Sequence, residues 1–555
     1  MAIAHGPNSL LPSGPGAAAR LGPARAETGP EALTRRGFVA PLAAAPLAWL
    51  LGACASPPPA GAGPNPAPQP PPRAPVSAAD PYPWLNRLSW GASPSSAAQA
   101  ARLGLDAYLA QQLRPGPAHL PGEAEGAIAA MTISQQPPVE LARAMEQRRR
   151  EAASLGDDDA KKAALQAYQR EMTRLARESA ARHVLRALYS SNQVQEQMTW
   201  FWLNHFSVFA YKGNIRSMIA DYEDSAIRPH ALGRFRALLG AVTLHPVMLR
   251  FLDNDRNAAG HVNENFAREL MELHTLGVEG GYGQRDVQEL ARVLTGAGVN
   301  LAPQLPRVRP ALQAAYVRRG LFEFNPMRHD FGPKELLGAP IRARGLGEIE
   351  EALDRLARHP STARFVCTQL CRFWLADDPA PALVARGAEA FRRSDGDIAQ
   401  TLHALFTAPG FGQGAGRHFK DPMRYVISAL RLAYDERVIL NAGPVLNWLQ
   451  RMGEPLYGRQ TPDGWPLAES AWSSPGQMAT RFEIARAIGS GNAGLFRTDG
   501  PAPQERPAFP QLSNALYFES ISRRLSPATK QALDQSRSPQ EWNTFLLASP
   551  EMMSR

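Results

Sequence analysis

Along most of the chain the apolar positions recur every three to four residues, the spacing of one helix face, and alternating runs that would form half-buried strands are few. Met198, Phe201, Trp202, His205, Phe206 and Phe209 stand at i, i+3, i+4, i+7, i+8 and i+11, a buried helical stripe with an imidazole inside it. A buried imidazole must place both ring nitrogens, and Trp200 and Asn204 are the nearest polar groups to share that task. The Ala-, Arg-, Glu- and Gln-rich stretch up to Ser190, broken at Ser154-Leu155-Gly156-Asp157, predicts a charged and mostly solvated helical hairpin over about 137–190, its second helix capped by an Asp of the break. Arg148-Arg149-Arg150 belongs to its exposed face. Phe235–Leu252 is apolar, broken at His245-Pro246, and the oxygen-rich Asp253–Asn257 that follows lacks the spacing of a calcium loop and reads as a surface turn.

Asn263–Gly277 predicts a helix with Asn263 as its cap and Gly277 as its stop. Phe266, Leu270 and Leu273 mark its buried face, with Glu269 and His274 at the two borders. Glu264, Arg268 and Glu272 form an i, i+4, i+8 ladder on the other side, so Glu269 is the acid expected inside. Gln284–Thr295 is a further amphipathic helix, with Asp286 in its first turn. These elements predict a mainly α fold, a large multi-helix body with few or no strands. The roughly 470 residues concerned exceed what one core usually serves, about 250–300, so two subdomains are expected.

The N-terminal segment has a different logic. Arg35 and Arg36 precede Phe38 and a short apolar run to Leu51, which ends in Leu51-Gly52-Ala53-Cys54. Paired arginines, an aromatic and a run too short to span a bilayer read as a removable twin-arginine export signal, residues 1–53. The last four residues resemble a lipobox, which makes Cys54 the acylated N-terminus of the mature chain and the membrane its first partner. Ala55 stands where an inner-membrane retention Asp would be, so the expected location is the periplasmic side of the outer membrane. Residues 54–82, almost all Pro, Ala, Gly and Ser, form a solvated tether. The folded body is expected over 83–545.

The formal charge of +9 falls to +7 once the signal, with four Arg and two Glu, is removed. Its arginines alternate with acids at helical spacing, so no nucleic-acid partner is expected; acidic polysaccharide or phospholipid headgroups are the natural counter-charge in an envelope. Beyond Cys54 only Cys367 and Cys371 remain, four residues apart on one helix face, where a disulfide would be strained. Two buried thiols are the first reading, a disulfide or soft-metal pair the alternative.

Candidate chemistry rests on His205, Glu269, His274, His329 and Asp330, with His205 and Glu269 as the catalytic pair. Mixed imidazole and carboxylate donors suit a transition metal such as Zn, Fe or Mn, which would assemble from three separate segments, because no His-Glu-x-x-His or Cys-x-x-Cys signature is present. The alternatives are satisfied core histidines at 205 and 274, and an Asp330 that orients its neighbour His329. No Gly-x-Ser-x-Gly elbow occurs, Ser394-Asp395-Gly396-Asp397 reads as a turn and helix cap, and Trp465 is a loop aromatic that either stacks on a sugar or staples the loop.

Several segments, in order, resemble the bacterial domain-of-unknown-function (DUF) family 1800. They are Leu85–Gly91, Trp202–Phe206, Asn263–Leu270 with Leu276-Gly277, Gly281-Tyr282 and Asp286-Val287, His329–Gly332 with Lys334, Ser394–Ile398, and Gly453–Leu456 with Asp463–Pro466. The resemblance implies an exported, mostly helical protein, often encoded beside an exported DUF family 1501 protein similar to alkaline-phosphatase-fold enzymes. Two departures stand out. Gly283 occupies a Thr position that would cap the next helix, and Tyr457–Pro462 replaces the usual Pro-Pro-Ser-Val run. Three functions stay open: a metal-dependent oxidative or hydrolytic envelope enzyme, a non-catalytic scaffold for a DUF family 1501-like partner, and a glycan-binding lipoprotein.

Overall fold

The computed structural model describes residues 80–409, 411, 416, 418–497 and 509–555; Arg35, Arg36 and Cys54 lie outside them. The fold is mainly α, 60 % helical, with five strands of two or three residues. The strands arise where the helical pattern lapses. Phe322–Phe324 pairs antiparallel with Ala297–Val299 on one side and Val317–Arg319 on the other, and Glu335–Leu336 turns back on Ala339–Pro340. Among the described residues no helix is long and apolar enough to cross a membrane. Length predicted two subdomains; the described residues share one extended apolar core and a small satellite cluster around Met145, Met172 and Leu175.

The hairpin forms as its sequence dictates. Helices Pro138–Ser154 and Asp158–Tyr189 flank the break, and Asp157 accepts the Ala160 N–H at 2.7 Å. The exposed side chains of Arg149 and Arg150 share the Glu146 carboxylate. The second helix is solvated only in its first half; from Leu175 onward it enters the core. Cys367 and Cys371 are free and buried, and burial pushes the Cys371 thiol up to about 12, so both act as packing groups.

Asp253–Asn257 is not a surface turn. Asn254 and Asn257 are buried and replace missing backbone partners. Asn254 Nδ2 donates to the carbonyls of Leu294 (3.1 Å) and Ala297 (2.9 Å), and Asn257 Nδ2 donates to Ala291 (2.8 Å) while its Oδ1 accepts the Asn263 N–H (2.9 Å). These side chains close the frayed end of helix Gln284–Val293, whose last carbonyls have no helical donors. Composition alone could not separate this role from a solvated turn. Asn257→Ala should therefore destabilise the protein by about 2–3 kcal/mol, read as a lowered urea midpoint with unchanged slope, whereas a surface turn would lose almost nothing.

Candidate functional site

Helix Gln193–His205 carries the aromatic stripe into the core and ends at a cleft of about 560 Å³. Helix Asn265–Glu272 borders it; this helix stops earlier than its sequence suggests, and the chain unwinds through Leu273–Thr275 to Gly277 at φ +80°. A Cβ on Gly277 would stand 2.8 Å from the Phe365 ring, so glycine is required for conformation and for space. Helix Pro360–Trp374 contributes Phe365 and Gln369 on a shared face, and loop 463–468 closes the far side with Asp463 and Trp465.

His205 is half-buried among Phe201, Trp202, Phe206 and Phe365, with ring centroids at 6.0, 5.4, 4.7 and 6.1 Å. Its Nε2 lies 3.1 Å from the His274 carbonyl, which fixes Nε2 as the donor and leaves Nδ1 with the lone pair. Burial lowers its pKa to about 4, against the opposing pull of that carbonyl, so the ring is neutral near pH 7. Neither Trp200 nor Asn204 serves it. The His274 ring is fully buried, 6.2 Å from His205 and 5.0 Å from Phe206, and neither of its nitrogens finds a hydrogen-bond partner among the described residues. Burial and then the neighbouring His205 drive its pKa well down.

The acids divide differently from the sequence reading. Arg268 pairs with Glu264 at 3.1 Å and donates to Gln284 at 2.9 Å, but Glu272 leaves this ladder and lines the cleft. Glu269 is half-buried, and burial followed by the charge of Glu272 raises its carboxyl pKa, with Asp463 adding to the effect. Neither Glu269 nor Glu272 has a side-chain hydrogen bond or ion pair among the described residues.

Trp465 is held by Asn204. Its N–H donates to Asn204 Oδ1 at 2.6 Å, and Asn204 Nδ2 donates to its carbonyl at 2.9 Å. Gly464, at φ +74°, lets the loop come this close, because a Cβ there would meet the Asn204 carbonyl at 2.3 Å. Arg459 stands over the indole at 5.5 Å and grips Asp463 at 2.7–3.0 Å. Burial raises the Asp463 pKa, but Arg459 and Thr461 outweigh it and keep the carboxyl below its usual range.

His329 and Asp330 form a separate cluster. His329 Nδ1 is 2.8 Å from the Thr295 carbonyl, and its Nε2 is 3.1 Å from Glu348, whose other oxygen receives Lys334 Nζ at 2.7 Å. Asp330 does not orient His329. It takes Arg292 at 2.8 and 3.2 Å, and those hydrogen bonds lower its pKa to about 2. The motif thus bolts helix Gln284–Val293 to helix Leu346–Arg358. Of the five candidates, then, His205 and His274 meet, Glu269 stands behind Glu272, and His329 and Asp330 serve elsewhere. Among the described residues no three of His, Cys, Asp and Glu are grouped to hold a metal ion, and His205 Nε2 is committed to a carbonyl.

Other placements follow the sequence. Asp397 caps helix Ile398–Phe406 through the Gln400 N–H at 2.8 Å. Gly283 donates its N–H to Asp286 at 3.0 Å, half of a capping box. Tyr457, first residue of the divergent loop, is a buried anchor. Its hydroxyl bonds Glu223 at 2.5 Å, where Glu223 also meets Arg228 and, at 3.1 Å, His183. The cleft residues missed by sequence reasoning include Phe365, Gln369, Arg372, Asp377 and Glu272. The first two share a helix face that reads as core, and nothing in their spacing marks one end of it as open.

A mainly helical protein with one aromatic and carboxylate-lined cleft is what fold and site define together. Residues 83–554 match the family described as protein of unknown function (DUF1800), and the chain belongs to it. No curated protein and no solved structure matches the chain.

The depressed histidines set a pH dependence. The unfolded chain binds their protons near pH 6.5 but folded His205 does so only near 4, so folded stability is full above about 6.5 and falls as pH drops through that window. His205 alone should cost about 2 kcal/mol by about pH 5, read as a lower melting temperature, and His205→Phe should flatten the decline. Breaking the buried Lys334–Glu348 pair with Lys334→Met should cost about 3–5 kcal/mol, and Lys334→Met with Glu348→Leu should recover much of it in denaturant titrations.

Proposed function

We propose that this chain is an exported, lipid-anchored envelope protein that binds an uncharged glycan chain in the cleft under Trp465. The observation that carries the reading is the lining itself. Trp465 and Phe365 offer stacking surfaces, while the Glu272 carboxylate and Gln369 amide have no hydrogen-bond partner among the described residues. Sugars present apolar ring faces and hydroxyl edges, which such a wall satisfies together. Net charge favours an acidic polysaccharide, but this cleft does not: Glu272, Asp377 and Asp463 outnumber Arg372. The segments that carry the family resemblance at Trp202–Phe206, Asn263–Gly277 and Asp463–Pro466 converge here.

One observation favours hydrolysis of the bound chain as a second reading. Neutral His205 and the Glu272 carboxylate both line the cleft, and the half-buried Glu269 carboxyl, which has a raised pKa, stands behind Glu272. The scattered donor set supports a metal-dependent reaction less, and a scaffold role would leave the unpartnered lining without use.

Titration calorimetry with a panel of neutral soluble glycans should give saturable binding that Trp465→Ala weakens about tenfold or more in protein that still unfolds cooperatively. No binding across the panel by folded protein would sink the reading. Cys54→Ser should abolish lipid labelling, and Arg35→Lys with Arg36→Lys should retain the precursor in the cytoplasm; export unchanged by that pair would overturn the twin-arginine route.

A further inference from the structure

A second, larger groove of about 700 Å³ runs where helix Leu105–Leu113, helix Pro381–Arg393 and helix Ile398–Phe406 meet. Its apolar lining includes Ala110, Leu113, Ala390 and Ala399, of which Leu113 and Ala390 are buried. Its rim is cationic. Arg114, Arg393 and His403 are all exposed and all line it. Arg114 and His403 have no side-chain partner among the described residues, and Arg393 has only a 3.5 Å approach from Glu389. Asp397 is the one acid among the lining residues, and its carboxylate is engaged as a helix cap by Gln400, at 2.8 Å to the N–H and 3.1 Å to Nε2. The groove therefore sets two guanidiniums and an imidazole against a single lining carboxylate.

We propose that this groove binds a phosphate-bearing anionic ligand, with Arg114 and Arg393 on the phosphate oxygens, His403 donating a further ring N–H, and the neutral remainder lying on the apolar lining. Guanidinium forks match phosphate oxygens in pairs, and charge-assisted hydrogen bonds of this kind are the strong ones. The volume exceeds what a bare phosphate fills, which suits a phosphomonoester or phosphodiester headgroup. Here the basic balance of the whole chain meets its counter-charge, at a face distinct from the acidic cleft.

The test uses the full chain carrying Cys54→Ser, so that acylation does not mask vesicle binding. Glycerol 3-phosphate is titrated by calorimetry, and vesicles of phosphatidylglycerol in phosphatidylcholine, or of phosphatidylcholine alone, are co-sedimented. Saturable binding of glycerol 3-phosphate, of phosphatidylglycerol vesicles, or of both is expected. Arg114→Gln with Arg393→Gln should weaken it about tenfold or more at an unchanged melting temperature. Binding to the soluble probe alone assigns a soluble phosphate ester, and binding to the charged vesicles alone assigns a lipid headgroup. Absence of binding to both probes, equal binding to neutral vesicles, or full binding by the double variant would overturn the proposal. Because both exposed arginines lie outside the core, His403→Gln gives a second test should the double variant melt early: it should weaken binding severalfold, and unchanged binding counts against the site.

Discussion

Guanidinium groups buried against main-chain carbonyls hold this fold together. A helix ends with carbonyls that have no helical donor, and burying such an end demands one from elsewhere. Here arginines from distant segments supply them. Arg431 donates to Leu188 in the last turn of the long hairpin helix and to Gly91 at 2.9 Å, and Arg555 donates to Phe373 near the end of helix Pro360–Trp374. Arg87 reaches Phe411, while its own carbonyl accepts Gln197 Nε2 at 3.2 Å. Gln197 Oε1 in turn takes Arg555 at 3.0 Å. Arg431 and Arg555 each reach a carbonyl in the last turn of a helix, where the dipole is negative, and burial still lowers the pKa of both. Aromatic faces complete the solvation, with Arg424 only 3.8 Å over Phe373.

This lattice fixes helix Gln193–His205, and the cleft follows from its position. Gln197 anchors the helix in the lattice, Trp202 Nε1 donates to Ala231 at 3.0 Å, and Asn204 at its end holds the Trp465 loop. The helix must then finish with His205 between an aromatic core and an open cleft. That placement is costly for a charged ring and acceptable for a neutral one, which is why burial governs its proton affinity. His274 below is more extreme, a fully buried imidazole with no hydrogen-bond partner for either nitrogen among the described residues. The polar groups left over at this end, Glu272 and Gln369, face the cleft, where a ligand can use them.

Local chemistry in the sequence was legible and often right in detail. Asp157 and Asp397 were readable as caps because a cap acts within three residues of itself. The stripe from Met198 to His205 and the buried Phe266 and Leu270 were readable because helical period is set by covalent geometry, whereas Phe209 lies past the helix end and Leu273, where helix Asn265–Glu272 unwinds, is half-buried and lines the cleft. The oxygen-rich 253–257 segment was not, since a buried Asn and a solvated Asn in a turn have the same local sequence, and only the neighbouring helix end distinguishes them.

The candidate site shows the same boundary. Sequence by itself determined that helices would dominate, that an imidazole would sit within an apolar stripe, and that the DUF1800 family was resembled. Tertiary structure decided which groups share a site. It separated His329 and Asp330 from His205, because Arg292 and Thr295, at the end of one helix, and Glu348, on another, hold them there. It brought Glu272 and Trp465 together at one cleft, because where a helix unwinds and how closely a loop can approach depend on Gly277 against Phe365 and Gly464 against Asn204. Propensity, capping and periodicity act over a few residues, whereas desolvation and pairing depend on what is packed nearby, and that is a property of the folded chain alone.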